Sequence, residues 1–107
     1  VDGFRIDTIK HIPASFFKDW LTHVRSTFKH RELFAVGEYW SGSLDELKGY
    51  LAAVDGAMRL FDVPLHFNFR DAAQQGKSFD LSKIFDGSLV QDNPLMAVTY
   101  VDNHDTE

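Results

Sequence analysis

Between residues 33 and 38 the chain reads Leu33-Phe34-Ala35-Val36-Gly37-Glu38. A short apolar run of this kind, closed by a carboxylate, is typical of a buried strand. Three further runs, at residues 3–7, 58–63 and 97–102, predict strands spaced about 30 residues apart. Pro64 marks the end of the third run, because proline supplies no N–H to a sheet.

Helical patterns fill the intervals between these strands. Pro13 suits the first turn of a helix, where its missing N–H is harmless, and Ser43 precedes Glu46 with the spacing of a capping box. Residues 65–75 predict a third helix that ends at Gly76, and residues 80–85 predict one more short turn. The apolar positions follow helical spacing at Phe16, Phe17, Trp20, Leu21, Val24 and Phe28 in the first helix, and at Leu47, Tyr50, Leu51 and Val54 in the second.

The predicted order of elements is therefore β-α-β-α-β-α-β. Such alternation indicates parallel strands joined by right-handed crossovers, in either a doubly wound sheet or a section of an eight-fold barrel. No glycine-rich phosphate loop follows a predicted strand, which disfavours the doubly wound sheet. Acidic residues at the strand ends favour the barrel. The predicted fold class is α/β, a partial (β/α)8 TIM barrel.

The two ends of the chain bear on its domain organisation. Residue 1 already adjoins the first predicted strand, and no helical pattern follows the last one. Natural domains rarely begin and end on such elements. We expect residues 1–107 to be a fragment of a barrel domain, with no complete domain present.

The composition disfavours several classes of partner. Lys and Arg number 11 against 16 Asp and Glu, a net charge of −5, which argues against a nucleic-acid partner. Without cysteine the chain forms neither a disulfide nor a thiolate zinc site, and the compartment stays open. No apolar run of about 18 residues is present, so no membrane-spanning segment is expected. A neutral substrate, or a cation held by carboxylates, suits this charge.

Three carboxylates, Asp7, Glu38 and Asp105, stand at or just past predicted strand ends. Parallel strands point their carboxyl ends the same way, and a barrel builds its active site at that mouth. Glycoside cleavage uses one carboxylic acid to protonate the leaving oxygen and a second carboxylate, about 5–5.5 Å away in retaining enzymes, as nucleophile. Arg5 shares a strand face with Asp7 and is expected to pair with it. A single acid at a strand end is a helix N-cap as often as it is a functional residue. Three such acids together favour catalysis.

The motifs around these acids resemble signature segments of the α-amylase family, glycoside hydrolase family 13, in the family's order. The resemblance runs through essentially the whole chain and is strongest toward bacterial liquefying-type α-amylases and their cytoplasmic relatives. It implies the catalytic barrel, with this chain covering about strands 4 to 7. Thr8, Gly37 and Glu107 depart from the residues usual in the family. The segments are Gly3-Phe4-Arg5-Ile6-Asp7-Thr8-Ile9-Lys10-His11, Phe34-Ala35-Val36-Gly37-Glu38-Tyr39-Trp40 and Val101-Asp102-Asn103-His104-Asp105-Thr106.

The resemblance implies a role for each matching residue. Asp7 is expected to be the nucleophile, Glu38 the general acid and base, and Asp105 the group that stabilises the distorted sugar. Arg5 would hold Asp7. The remaining substrate contacts would come from Lys10, His11, Trp40 and His104. Trp40 suits a sugar platform because a pyranose presents an apolar C–H face to an aromatic ring.

The resemblance also implies a structural calcium ion, ligated by the backbone carbonyl of His11. A carbonyl oxygen suits this hard cation, but the other ligands would lie upstream of the chain. The expected partner is an α-glucan polysaccharide or oligosaccharide, and the parent enzyme is expected to be a monomer.

Three functions remain open at this point. The first is retaining endo-hydrolysis of α-1,4-glucosidic bonds in starch or glycogen. The second is a related activity, such as that of a maltooligosaccharide-forming amylase, a transglycosylase or an α-glucosidase; the Lys10-His11 pair favours the first over an α-glucosidase. The third is a non-catalytic barrel homologue, against which the presence of all three acids argues.

Four other polar residues receive weaker interpretations. His23 and His30 are expected at the surface, and His66, just past a strand, is assigned no more than a loop or rim position. Asp62 is either a fourth acidic rim residue or, as we favour, a turn or cap residue.

Overall fold

A computed structural model describes residues 1–29 and 32–106. His30, predicted at the surface, and Glu107, the last departure from the family pattern, lie outside the described residues. The described chain is α/β, as predicted, with four parallel strands in one sheet in the order β1-β2-β3-β4. The strands are β1 (Gly3–Ile6), β2 (Phe34–Gly37), β3 (Arg59–Phe61) and β4 (Ala97–Val98), and the α-helices are α1 (Ala14–Thr27), α2 (Leu44–Ala53), α3 (Val63–Gln75) and α4 (Leu89–Asp92).

The strand register divides the sheet into two faces. Arg5 pairs with Val36, and Val36 with Arg59, so these residues share one face, which we call the helix-free face. Phe61 on β3 lies on the same face, two residues beyond Arg59. The opposite face carries the alternate residues of each strand, among them Phe4, whose ring meets the Trp20 ring of α1 at a centroid distance of 5.0 Å.

The hydrophobic core lies between the helices and that opposite face. Its fully buried members come from α1, α2, β3, α4 and the turn after β1. Gly37 belongs to this packing, because a Cβ there would lie 2.6 Å from both Ile9 Cδ1 and Met58 Sδ. The absence of a side chain at Gly37 therefore lets these two residues close over β2. The core comprises Ile9, Phe17, Leu21, Ala35, Leu47, Tyr50, Leu51, Val54, Met58, Leu60 and Leu89.

The third strand is shorter than the sequence predicts. It ends at Phe61, and α3 already begins at Val63, so the predicted extension of the strand to residue 63 is wrong. Asp62 is the N-cap of α3 and accepts a hydrogen bond from the Leu65 N–H at 3.1 Å. Pro64 lies in the first turn of this helix, where a missing N–H costs nothing.

The fourth strand differs more. Only Ala97–Val98 pairs with β3, whereas the sequence predicts a strand through residue 102. Residues 99–106 instead form a loop that ends in a turn, in which the Thr106 N–H donates to the Asn103 carbonyl at 3.2 Å. Tyr100 and Val101 suit a strand by residue type, since aromatic and β-branched residues are enriched there, but the described ladder ends before them.

Several local predictions are confirmed. The Ser43 hydroxyl caps α2 by accepting from the Glu46 N–H at 3.3 Å, as the capping-box spacing indicates. Asp80 caps a 3-10 turn at Leu81–Lys83, within the predicted helical turn. The four residues of α4 were not predicted, because one helical turn is too short to give a periodic signal. No helix in the described part of the chain is long and apolar enough to cross a membrane.

Asp62 joins two helix N-termini through one carboxylate. Its side chain is fully buried, and its Oδ1 accepts from the Leu65 N–H at 3.1 Å and from the Leu89 N–H at 3.0 Å. Its Oδ2 accepts from the Val90 N–H at 2.8 Å. These three bonds satisfy one free N–H group at the start of α3 and two at the start of α4, so the cap prediction for Asp62 is confirmed.

We predict that Asp62→Ala in the longer parent protein lowers the free energy of unfolding by at least about 3 kcal/mol, because three buried N–H groups lose their acceptor. Asp62→Asn keeps one acceptor oxygen and is expected to fall between alanine and wild type. Urea unfolding measures both, with the exposed Asp86→Ala as control. Equal stability of Asp62→Ala and the control would contradict the proposed cap.

The helix-free face and the two edge strands bear on the stability of the isolated chain. Phe34, on the helix-free face, keeps 40% of its surface exposed. β1 and β4 are the edges of the described sheet and offer unpaired backbone groups. The Cα radius of gyration is 15.2 Å, above the roughly 13 Å of a compact domain of this size.

We predict that the 107-residue chain expressed alone aggregates, or shows broad and poorly dispersed amide signals, and does not degrade starch. Size-exclusion chromatography and proton–nitrogen NMR spectra test this. A monomeric chain with a single cooperative thermal transition would show that the helix-free face needs no further cover.

Candidate active site

Two carboxylates meet one guanidinium at the carboxyl end of the sheet. Asp7 directly follows β1 and Glu38 directly follows β2, so the parallel pairing of these strands brings them to the same edge. Arg5 Nη1 donates to Asp7 Oδ1 at 3.3 Å, and Arg5 Nη2 donates to Glu38 Oε2 at 2.7 Å. The expected pairing of Arg5 with Asp7 is therefore present, and a shorter bond to Glu38 accompanies it.

The surroundings of the three charged groups differ. Glu38 is buried, with 8% of its side-chain surface exposed, whereas the Asp7 side chain is 58% exposed. The Arg5 guanidinium also lies over the Phe61 ring, with Cζ 5.7 Å from the ring centroid, so β3 helps to hold it. The more buried acid thus has the shorter bond, and the more exposed acid faces solvent.

The turn after Asp7 is held in an unusual conformation. Thr8 has φ 48° and ψ 39°, in the left-handed region that a β-branched residue rarely adopts. This residue turns the chain away from the sheet and sends Ile9 into the core, where the Ile9 N–H donates to the Glu38 carbonyl at 3.3 Å. The segments that follow Asp7 and Glu38 are therefore linked through the backbone as well as through Arg5.

A cavity of about 120 Å³ opens beside this ion-pair cluster. Glu38 and Arg5 form one side of it, and the loop of residues 99–106 forms another. His104, for which the resemblance implies a substrate contact, lines the cavity, and that role stays a prediction. The lining residues are Arg5, Glu38, Phe61, Tyr100, Asp102, Asn103 and His104.

Asp105 stands apart from the other two predicted catalytic acids. Its side chain is 58% exposed, and its Oδ2 lies 3.4 Å from His104 Nε2. Within the described residues, it neither lines the cavity nor contacts Arg5. The reason is the early end of β4, which places Asp105 in a turn instead of at a strand end. The structure thus brings Asp7 and Glu38 to the same guanidinium and leaves Asp105 apart from them on the loop.

The turn that carries His104 is fastened by Asp102. The Thr106 hydroxyl and the Asn103 N–H both donate to Asp102 Oδ1. These two bonds hold the pKa of the Asp102 carboxyl below its usual range, and the bond from Thr106 has the larger effect. The Asp105 N–H in turn donates to the Asn103 side-chain oxygen at 2.9 Å. The loop is thus fixed internally by its own polar side chains.

The other predicted substrate residues surround the site at different distances. The Trp40 ring, 37% exposed, packs edge-on against Phe67 at a centroid distance of 5.7 Å, which leaves part of it open to a ligand. Lys10 Nζ lies 5.8 Å from the Tyr39 ring centroid. Both Lys10 and His11 are exposed on the 3-10 turn Ile9–His11, and neither lines the cavity.

Sequence analysis missed Tyr100 and underestimated His66. Tyr100 lines the cavity with its hydroxyl buried and without a hydrogen-bond partner in the described chain. Burial, with smaller contributions from Glu38 and Asp62, raises the pKa of Tyr100 to about 12. His66 is buried, not exposed in a loop, and stacks on Tyr100. Tyr100 stands two residues past Val98, the spacing of side chains on one face of a strand. This spacing was the sequence signal that could have identified Tyr100.

The residues present do not complete a calcium site. Calcium takes six to eight oxygen ligands, and the His11 carbonyl would supply one. Within residues 1–29 and 32–106, no three His, Asp or Glu side chains cluster closely enough to hold a metal ion.

The chain is similar in sequence to several known proteins over essentially its whole length. No family model matches it. The chain is 50% identical over 107 residues to an α-amylase of Geobacillus stearothermophilus, covering all of this chain and 19% of that protein. It is 47% identical over 106 residues to a cytoplasmic α-amylase of Escherichia coli (strain K12), covering 99% of this chain and 21% of that one. A glucan 1,4-α-maltohexaosidase of Bacillus sp. (strain 707) is 46% identical over 107 residues, covering all of this chain and 20% of the relative.

The chain thus spans about a fifth of the length of the curated relatives it matches. The aligned region includes all three motifs, because it covers essentially every residue of the chain. On this agreement, the chain belongs to the α-amylase family.

Proposed function

We propose that the protein containing this chain hydrolyses internal α-1,4-glucosidic bonds of starch- or glycogen-type polysaccharides and retains the configuration at the anomeric carbon. The observation that carries the proposal is the Arg5 bridge, in which one guanidinium contacts both Asp7 and Glu38. Two carboxylates held this close, at the carboxyl edge of a parallel sheet, suit a double displacement. Two relatives that align with essentially all of this chain are named α-amylases, which supports the substrate class.

The geometry supports a division of roles between the two acids. Arg5 Nη2 occupies Glu38 Oε2, which leaves Oε1 as the oxygen that delivers a proton to the leaving group. Arg5 Nη1 holds Asp7 Oδ1, so Asp7 would attack the anomeric carbon through Oδ2. The glycosyl–Asp7 ester then forms as the glycosidic bond breaks. Glu38, now deprotonated, takes a proton from water, and that water displaces Asp7.

Asp105 and His104 would act from the loop on the other side of the cavity. In this proposal the Asp105 carboxylate stabilises the positive charge and distorted ring of the transition state. His104 already lines the cavity, where its ring would donate a hydrogen bond to a sugar hydroxyl. Asp105 would reach the sugar by a modest movement of its exposed side chain.

The remaining contacts extend the site along a glucan chain. Trp40 would stack on a sugar ring, and its partly exposed ring has room for this. Lys10 and His11, exposed beyond Asp7, would contact glucose units on the leaving-group side. The expected partner is therefore an α-glucan polymer or oligomer, bound by a monomeric enzyme.

We further propose that the four-stranded sheet is one part of a closed (β/α)8 barrel, about strands 4 to 7, and that the rest of the parent protein covers the helix-free face. The parallel order of the strands supports this proposal. The packing of the helices on one face of the sheet supports it as well. In such a barrel the carboxyl ends of the strands form the active-site mouth. Calcium, if the parent binds it, would take the His11 carbonyl and ligands from outside this chain.

A second candidate activity is the release of oligosaccharides of fixed length. It is favoured by the 46% identity to a protein named glucan 1,4-α-maltohexaosidase, which equals the identity to an α-amylase of Bacillus licheniformis. The two activities share the proposed acids and differ in where the chain is cut. Chromatography of early starch digests separates them, because an endo-acting enzyme gives mixed lengths and the alternative gives one.

We predict that Glu38→Gln in the parent protein lowers kcat on soluble starch by on the order of 10²–10⁴-fold, because the amide keeps the shape but cannot donate a proton. Substrate binding should persist. Reducing-sugar assays measure the loss, and Glu46→Gln, the same change at an exposed position, is the matched control. Asp7→Asn should be as severe and should abolish trapping of a covalent glycosyl-enzyme. Activity of Glu38→Gln within a few-fold of wild type would remove Glu38 from the mechanism.

We predict that the first product carries the α configuration at its new reducing end, because a carboxylate nucleophile requires two inversions. Proton NMR of fresh product, recorded before mutarotation, distinguishes the anomers. A β-anomer formed first would mean that Asp7 does not form the covalent intermediate.

A further inference from the structure

We propose that His66 is a positioning residue that fixes the loop of residues 99–106, and with it His104 and Asp105, against the sheet. The proposal rests on the function proposed above, since it concerns the same site. The role is positional, because the His66 ring contacts Val101, Tyr100 and Trp40, and none of these is one of the proposed catalytic acids.

The first contact is a hydrogen bond to the loop backbone. His66 Nδ1 lies 2.7 Å from the Val101 carbonyl oxygen. A carbonyl only accepts, so Nδ1 carries the proton in this bond. Val101 stands three residues past the last paired strand residue, Val98. The bond therefore extends the attachment of the chain beyond the point at which the backbone ladder ends.

The second contact is ring packing with two aromatic neighbours. The His66 ring stacks on Tyr100 at a centroid distance of 5.1 Å and an interplanar angle of 8°. It also meets the Trp40 ring, at a centroid distance of 5.9 Å. His66 thus contacts both Trp40, the proposed sugar platform, and Tyr100, which lines the cavity together with Glu38.

The third element is the rigidity of the support. His66 lies in the first turn of α3, and its N–H donates to the Asp62 carbonyl at 3.1 Å. The Asp62 side chain binds the same helix start and that of α4, as described above. His66 is itself only 6% exposed. A residue with so little freedom can transmit the position of the helix to the loop.

The loop needs this support because, apart from the packing of Tyr100 on Phe61 of β3 at a centroid distance of 5.7 Å, the polar ties of its turn are internal. The Asp102 carboxylate and the Asn103 and Thr106 side chains bind one another and fix the shape of the turn. Such bonds do not fix where the turn lies relative to Glu38. A misplacement of about 1 Å can reduce a rate by about 10²-fold, so the link from His66 to Val101 has a direct effect on catalysis.

Three variants of the full-length parent protein test the assignment. His66→Phe keeps a flat ring for stacking but removes the donor. His66→Asn places an amide N–H near the position of Nδ1, and His66→Gln places it nearer Nε2. Asn68→Leu is the matched control, because the Asn68 amide on the same helix donates to the Ile84 and Asp86 carbonyls of a different loop, at 2.8 and 2.9 Å.

Two readouts are needed, amide hydrogen exchange and starch kinetics. We expect His66→Phe and His66→Gln to accelerate exchange in residues 99–106 and to lower kcat by on the order of 10-fold or more. His66→Asn should restore both toward wild type. Asn68→Leu should accelerate exchange in residues 80–88 and leave kcat unchanged. This should hold even if its melting temperature falls as much as that of the His66 variants.

The outcomes separate the two levels of the proposal. Unchanged exchange in residues 99–106 in both His66→Phe and His66→Gln would overturn the positioning role, whatever the enzyme acts on. If His66→Phe fails to fold, the Asn and Gln pair still decides, because equal kcat in the two would overturn it. A wild-type parent that hydrolyses no α-1,4-glucan would sink the proposed function alone, since the exchange measurement needs no substrate.

Discussion

The Glu38 N–H donates to the Ile6 carbonyl at 2.9 Å, and this bond continues the β1–β2 ladder into the residues that carry the two paired acids. If β2 were shifted by one residue against β1, Glu38 would turn to the helix-covered face, and Arg5 could not contact both carboxylates. The Ile9 N–H, which donates to the Glu38 carbonyl, extends the same link past the strand. The candidate site is therefore primarily a consequence of strand pairing, and side chains refine it.

The two ends of the sheet are held by different chemistry. At the amino end Arg25 of α1 donates to the Leu33 carbonyl at 3.0 Å and to the Ala57 carbonyl at 2.5 Å, so one guanidinium joins the chain entering β2 to the chain entering β3. At the carboxyl end a guanidinium joins two carboxylates. The first arrangement satisfies backbone acceptors and has a structural effect only. The second leaves carboxylate oxygens facing a cavity, which is where chemistry becomes possible.

The sequence predicted well what depends on local periodicity and on short motifs. The helices Ala14–Thr27 and Leu44–Ala53 follow from apolar spacing and the Ser43 cap, and the pairing of Arg5 with Asp7 follows from strand alternation. It failed where tertiary contacts decide. β4 ends at Val98 because pairing with β3 ends there, and no residue pattern within residues 97–102 reveals this. The contacts of Arg5 with Glu38 and of His66 with Val101 join residues 33 and 35 positions apart, beyond the reach of local patterns.

The short β4 explains why so much polar bonding gathers near residues 99–106. A strand that ran to residue 102 would hold this segment by its backbone, and its side chains would be free for substrate. Because the ladder stops at Val98, side chains replace it: Asp102 and Thr106 close the turn, and His66 reaches Val101 from α3. These side-chain bonds set the position of His104 and Asp105, whereas strand pairing sets the position of Asp7 and Glu38. In the proposed function the two kinds of support meet at one cavity. The paired acids depend on the backbone ladder, and the third acid depends on the contact of α3 with the loop.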